Sequence, residues 1–128
     1  MNFSQDTEES TTIIHSYQED YLVINQTKYD CHCLLHHSGL IKPWDVNEVS
    51  QLLISDFDAI LNCQPDVVIL GTGKQLKFPE NTLRHAFAKF NVGLEVMDTG
   101  AACRTYNILL SEGRNVAAAI YLLNTEFK

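Results

Sequence analysis

Asp66-Val67-Val68-Ile69-Leu70-Gly71-Thr72-Gly73 is the stretch on which the reading of the fold turns. Four consecutive branched apolar residues leave no polar face, and a strand apolar on both faces belongs inside a parallel sheet with helices covering it from two sides. The glycines that close the run predict a tight turn at its carboxyl end. If either takes a positive φ, alanine there should cost more than the ~0.4–1 kcal/mol typical of backbone-entropy effects.

Downstream of this strand the pattern alternates. Pro79 stands where a helix begins, since its missing N–H costs nothing in the first turn. Glu80 to Phe90 continues that helix, with Leu83, Phe87 and Phe90 on one face. A second strand, Val92–Met97, stops at Asp98-Thr99-Gly100. A helix over Ala101–Glu112 follows, Gly113 ends it, and Val116–Leu123 is the last strand. Strand, helix, strand, helix, strand predicts right-handed crossovers over a mixed or parallel sheet.

Upstream the texture differs. Residues 1–10 are polar and acidic and read as a flexible tail, which leaves residues 11–128 as a single α/β domain. Ile13-Ile14, Tyr21–Ile24 and Tyr29–Leu35 are short β-prone runs, with Asn25-Gln26-Thr27-Lys28 as a hairpin connection. The first 40 or so residues thus form an antiparallel, hairpin-rich section closed by Gly39 and Pro43-Trp44. Val49, Leu52, Leu53, Phe57, Ile60 and Leu61 then recur at helical spacing, predicting a short turn around Asn47–Leu53 and a firmer helix over Asp56–Cys63 before Pro65.

Composition narrows the function classes. The chain has 128 residues, 45% hydrophobic and 20% charged, with a formal net charge of −7. Its nine Lys and Arg are scattered, whereas nucleic acids and anionic membrane surfaces select for clustered basic groups. Neither is expected as a partner. The longest apolar runs fall well short of the ~20 residues that span a bilayer, so no membrane insertion is expected. Without a basic stretch followed by an apolar one at the start, a cytoplasmic location is the expectation, and the four cysteines are read as thiols.

The strongest candidate site is spatial. If the strands at 67–70 and 92–97 are parallel neighbours, Gly71-Thr72-Gly73 faces Thr99-Gly100-Ala101-Ala102-Cys103-Arg104-Thr105 across one crevice. Ligands of open α/β sheets bind at the carboxyl ends of strands, and a helix N-terminus there favours an anion. Two nucleotide motifs fail: Gly73-Lys74 is followed by Gln75 where a P-loop has Ser or Thr, and Leu76 stands where a dinucleotide fingerprint needs glycine. Cys31, Cys33 and His37 point to one face of a strand and His32 and His36 to the other, which splits them as a metal set. Cys103 reads as a packed thiol. Glu95, alternating with Leu94 and Val96, reads as a buried carboxylate paired structurally with Arg114 or Thr105. Trp44 and Tyr106 are read equally as surface anchors or core. No catalytic residue, metal or cofactor is assigned.

Glu95-Val96-Met97-Asp98-Thr99, Ala102-Cys103-Arg104-Thr105-Tyr106-Asn107, Leu109, Glu112, Arg114 and Val116 together resemble a family of small domains of unknown function. That family includes the mitochondrial complex I (NADH dehydrogenase) assembly factor 3 proteins. Its Gly-x-Gly after a buried strand is matched by Gly71 and Gly73, its downstream proline by Pro79, and the resemblance runs from about Leu40 to Leu123. It implies a three-layer α/β fold with a mixed central sheet flanked by helices and an extra N-terminal β-hairpin layer. It makes Glu95, Glu112 and Arg114 parts of a structural motif and places Asn107 with the loop-pair residues. It also implies a non-enzymatic protein-interaction or assembly-factor-like role with protein partners. The alternative is a small-molecule or anion binder, or enzyme, using the crevice.

Overall fold

The computed structural model describes residues 11–124, so the tail assigned to residues 1–10 and the last four residues lie outside the described part. Strand β6 (Val67–Gly71) is buried at every position. It runs parallel to β7 (Gly93–Met97) on one side and to β8 (Val116–Ile120) on the other. The antiparallel β4 (Cys33–His36) and β5 (Ile41–Pro43) complete a five-stranded mixed sheet in the order β5-β4-β8-β6-β7. A separate three-stranded antiparallel sheet holds β1 (Ile14–Tyr17), β2 (Leu22–Ile24) and β3 (Thr27–Tyr29).

The first 40 residues therefore serve two sheets. Tyr29–Leu35, read as one run, divides where Cys31 bends the chain, and β4 leaves the hairpin layer to pair with β8. The hairpin turn is also tighter than the sequence suggests. Thr27 and Lys28 belong to β3, and Asn25 takes a left-handed φ of 57°, a conformation that asparagine tolerates.

The helix expected over Asp56–Cys63 breaks into a 3-10 turn (Ile54–Phe57) and a four-residue helix, α1 (Asp58–Leu61). The Asp56 carbonyl accepts from the Trp44 indole, and its carboxylate accepts from the Leu53 amide, closing the turn on itself. Trp44 is thereby a core residue. Helix α2 (Asn81–Lys89) begins two residues later than Pro79 suggests, because Glu80 holds the N-cap position. Helix α3 (Thr99–Ser111) begins two residues early, because the Asp98 carboxylate caps it by accepting from the Ala101 amide.

Two apolar clusters lie on opposite faces of the large sheet. One gathers Leu34, Val68, Leu70, Ala117 and Ala119 under α2 residues Leu83 and Phe87 and under Trp44 and Phe57. The other gathers Cys33, Leu35, Ile69, Val116, Ala118 and Ile120 under α3 residues Ala102, Cys103 and Tyr106. Ile14, Leu22 and Ile24 of the small sheet join this second cluster. Helices on both faces with a small β layer beside α3 make the three-layer mixed α/β arrangement expected from the sequence.

Side-chain bonds fix that extra layer. The Asn107 carboxamide clamps β1, its Oδ1 accepting from the Ile14 amide and its Nδ2 donating to the Ile14 carbonyl. The buried Tyr106 hydroxyl lies against the Thr12 hydroxyl and donates to the Thr12 carbonyl. Tyr106 is therefore core as well, and the small sheet is held to α3 by polar bonds as much as by apolar contact.

Candidate functional site

The parallel pairing of β6 with β7 brings Gly71-Thr72-Gly73 against the start of α3, as the sequence reading requires. The two segments meet without a gap. A Cβ placed on Gly71 would lie 2.9 Å from the Ala102 Cβ and 3.1 Å from the Thr99 Cα. Thr99 is completely buried, and its hydroxyl donates to the Tyr121 carbonyl at 2.6 Å while accepting from the Gly73 amide at 2.8 Å. The Thr99 amide donates to the Gly73 carbonyl, the Thr72 amide to that of Met97, and the Tyr121 amide to that of Gly71. One threonine thus ties the ends of β6 and β8 to the first turn of α3.

Several of the groups that would receive an anion are engaged within the chain. The Ala101 amide donates to the Asp98 carboxylate and the Ala102 amide to the Asp98 carbonyl. The Thr72 hydroxyl donates to the Gln75 carbonyl and accepts from the Lys77 amide. Gly100 sits 3.3 Å (measured from a virtual Cβ) from the Tyr17 ring, and the exposed Arg104 guanidinium donates to the Tyr17 hydroxyl at 2.7 Å. Thr105 is half-buried beside it. Cys103 is buried, and desolvation pushes its thiol up to about 12, Arg104 opposing and Asp98 reinforcing the shift. It is a protonated packing group, not a poised nucleophile. At Gly71, Gly73 and Thr99 the two segments of the expected crevice are in direct contact and bonded to each other.

The carboxylate expected inside is outside. Glu95 is exposed on the edge strand β7, and Glu112 and Arg114 are exposed at the far end of α3. Alternation with Leu94 and Val96 reads the same on an edge strand, whose second face α3 does not cover. Among the described residues the only ion pair joins Lys74 to Glu19 at 3.4 Å.

Strand β4 carries the histidine-rich segment. His32 packs its ring 4.8 Å from the Tyr121 ring, whose side chain lies in the α2-side cluster, whereas Cys31 and Cys33 belong to the α3-side cluster. Its Nδ1 accepts from the Leu122 amide. The His36 Nε2 donates to the Asn115 carboxamide oxygen, which leaves Nδ1 to accept from Ser38. Burial lowers the pKa of both rings from the usual 6.5, opposed by Asp45 at His32 and by the Asn115 bond at His36, where His37 adds to the lowering. A depressed folded pKa means that the unfolded chain binds more protons below 6.5. Stability should then be full above that pH and decline as pH falls below it. Urea midpoints measured between about pH 7.5 and pH 5 should show this slope, flattened in His36→Gln; parallel curves for the two proteins would show that His36 contributes nothing.

Fold and junction together define a mixed α/β domain with a small β layer, one whose most distinctive loops serve its own architecture. The chain belongs to the family described as protein of unknown function (DUF498/DUF598), whose model matches residues 14–121. It is 30% identical over 110 residues to NADH dehydrogenase [ubiquinone] 1 alpha subcomplex assembly factor 3 of Homo sapiens. That match covers 84% of this chain and 59% of the relative, so the chain spans well under two thirds of the human protein. A "13 kDa major membrane protein" of Francisella tularensis is 24% identical over 121 residues, covering 94% of this chain and 98% of the relative. Among solved structures, a Bordetella parapertussis protein superposes with a TM-score of 0.82 at 29% identity, covering 88% of this chain and 97% of its own. Among the described residues no helix is long and apolar enough to cross a membrane.

Proposed function

We propose that this chain is a cytoplasmic, non-enzymatic protein-interaction domain that assists assembly of a respiratory complex. The observation that supports the reading is the Gly71–Gly73/Thr99 junction, in which the Thr99 hydroxyl and the Gly73, Thr99, Ala101 and Ala102 amides are already bonded within the chain and hold strand ends and a helix together. Kinship with the assembly factors supplies the process. Large apolar side chains supply a surface: Leu76, Phe78 and Phe90 are 50%, 62% and 57% exposed, Phe78 just before α2 and Phe90 directly after it. Exposed aromatics of this kind anchor protein interfaces.

The test is affinity capture with the intact chain and with a Phe78→Ser/Phe90→Ser variant. Subunits of NADH dehydrogenase (ubiquinone) should be recovered with the first and lost with the second, while the urea midpoint of the variant stays within about 0.5 kcal/mol of the parent. Recovery of no such subunit, together with an intact complex after deletion of the gene, would sink the proposal.

A further inference from the structure

The outermost strands of a sheet carry N–H and C=O groups without a partner, and natural proteins blunt such edges with short strands, lysine, proline, bulges or covering groups. Three of the four sheet edges among the described residues follow that rule. Strand β5 has three residues, among them the exposed Lys42 and Pro43. Strand β3 also has three, with Lys28 exposed at its centre. Strand β1 shifts register between Ile14 and Ser16, and the Asn107 carboxamide occupies both main-chain groups of Ile14. The fourth edge, β7, has five residues and no lysine, proline or register shift.

The bonds that hold β7 show what its outer side offers. The Gly93 amide donates to the Asp66 carbonyl, and the Met97 carbonyl accepts from the Thr72 amide, one bond at each end of β6. In a parallel ladder alternate residues turn their main-chain groups to the same neighbour. Gly93, Glu95 and Met97 therefore serve β6, and the N–H and C=O of Leu94 and Val96 face outward, with no partner strand among the described residues. Side chains divide the same edge by face. Leu94 and Val96 are half-buried against the α2-side cluster, and Met97 joins the α3-side cluster. Glu95 lies on the α3 side with Met97 and with Gly93, which has no side chain. It is exposed and forms no ion pair among the described residues.

We propose that the outer edge of β7 docks an extended segment of a partner protein as a sixth strand of the large sheet, with a Lys or Arg beside Glu95 and apolar residues beside Leu94 and Val96. Strand addition of this kind draws affinity from main-chain bonds and selectivity from the side chains on each face. It rests on the interaction role proposed above and adds where the partner sits and what it must carry. Charge decides the occupant. An antiparallel pair of β7 strands from two copies, with their α2 layers on one side, sets the two Glu95 carboxylates opposite or diagonal to each other, where like charges repel. Each copy also has a formal net charge of −7, which opposes self-association. A basic segment meets the same carboxylate with attraction and is steered toward it by the same net charge. Glu95 thus guards the edge against a second copy while leaving it open to a basic strand.

The probe is the acetylated and amidated peptide Thr-Val-Lys-Val-Lys-Val-Thr, compared with the same peptide carrying Glu in place of both Lys. Binding is followed by the NMR shifts of the protein's backbone amides. The lysine peptide should shift the Leu94 and Val96 amides most and bind at least ~5-fold more tightly than the glutamate peptide. Glu95→Lys, a change at an exposed position, should invert that preference. Val96→Pro should abolish binding and leave the protein folded, because it removes an outward N–H and no bond to β6. Equal affinity for the two peptides, shifts centred away from β7, or a dimer formed through β7 without peptide would each overturn the proposal. Affinity capture with Glu95→Lys separates it from the assembly role. Recovery of the same subunits as with the parent would overturn docking at the edge and leave that role standing. Recovery by neither protein would sink the role, and the peptide titration would still decide the edge.

Discussion

Gly71→Ala should lower the stability of this protein by about 2–3 kcal/mol, although alanine is the smallest possible change and the position lies at the end of a regular strand. The cause is steric. The added methyl would stand 2.9 Å from the Ala102 Cβ and 3.1 Å from both the Cα and the hydroxyl oxygen of Thr99. None of these atoms is the far end of a flexible side chain, so relief requires α3 to move off β6, and α3 cannot move without breaking the Thr99 bonds to Gly73 and Tyr121. Gly73 offers the contrast. It holds a φ of 96°, so alanine there strains the backbone itself, at about 1–2 kcal/mol. Urea denaturation separates the two mechanisms. Adding Ala102→Gly should recover part of the Gly71→Ala loss despite the ~1 kcal/mol that glycine costs inside a helix, and should do nothing for Gly73→Ala. A Gly71→Ala protein with the parent's midpoint would mean that the helix and strand are not in close contact.

That distinction was only half visible in the sequence. Val67–Leu70 announced a strand buried on both faces, and the glycines after it announced a turn, because both signals are local. Which glycine needed a positive φ and which needed an absent side chain depends on Ala102, whose approach is set by the tertiary fold. Asp98 likewise reads as a break, and it is one, but as the cap of α3 rather than as a loop before it. The pairing of β4 with β8 joins residues more than 80 positions apart, and nothing in Cys33–His36 marks it as a member of the large sheet rather than of the hairpin layer. Asn107 is the plainest case. The reading placed it with the crevice, whereas its carboxamide grips Ile14, 93 residues away. Glu95 failed for the opposite reason: polar–apolar alternation is the same whether an edge strand shows its polar side to water or to a buried partner. In each case the residue types were right for a built feature, and the missing knowledge was which distant backbone completed it.

Thr99→Val is the substitution that should do most damage for its size, costing about 2–4 kcal/mol. Valine copies the shape of threonine and adds no clash, so the loss would come from hydrogen bonding alone. The fully buried Thr99 hydroxyl donates to the Tyr121 carbonyl and accepts from the Gly73 amide, and valine removes both bonds in a place closed to water. Removing one partner of a buried bond costs the desolvation of the group left behind, ~1–3 kcal/mol each, which exceeds what the bond was worth net. Thr99→Ser keeps the hydroxyl and gives up one methyl, so it should lose only about 1 kcal/mol. The order Thr, Ser, Val in urea midpoint would therefore invert the order expected from apolar burial, by which Val should equal or exceed Thr. Hydrogen exchange gives the local reading: the amide of Gly73, which loses its acceptor, should lose protection in the Val variant before the rest of the sheet does. If Val instead matches the parent, Thr99 is a space-filler, the junction's polar groups are not committed to holding the fold, and the case against a ligand at this site loses its main physical support.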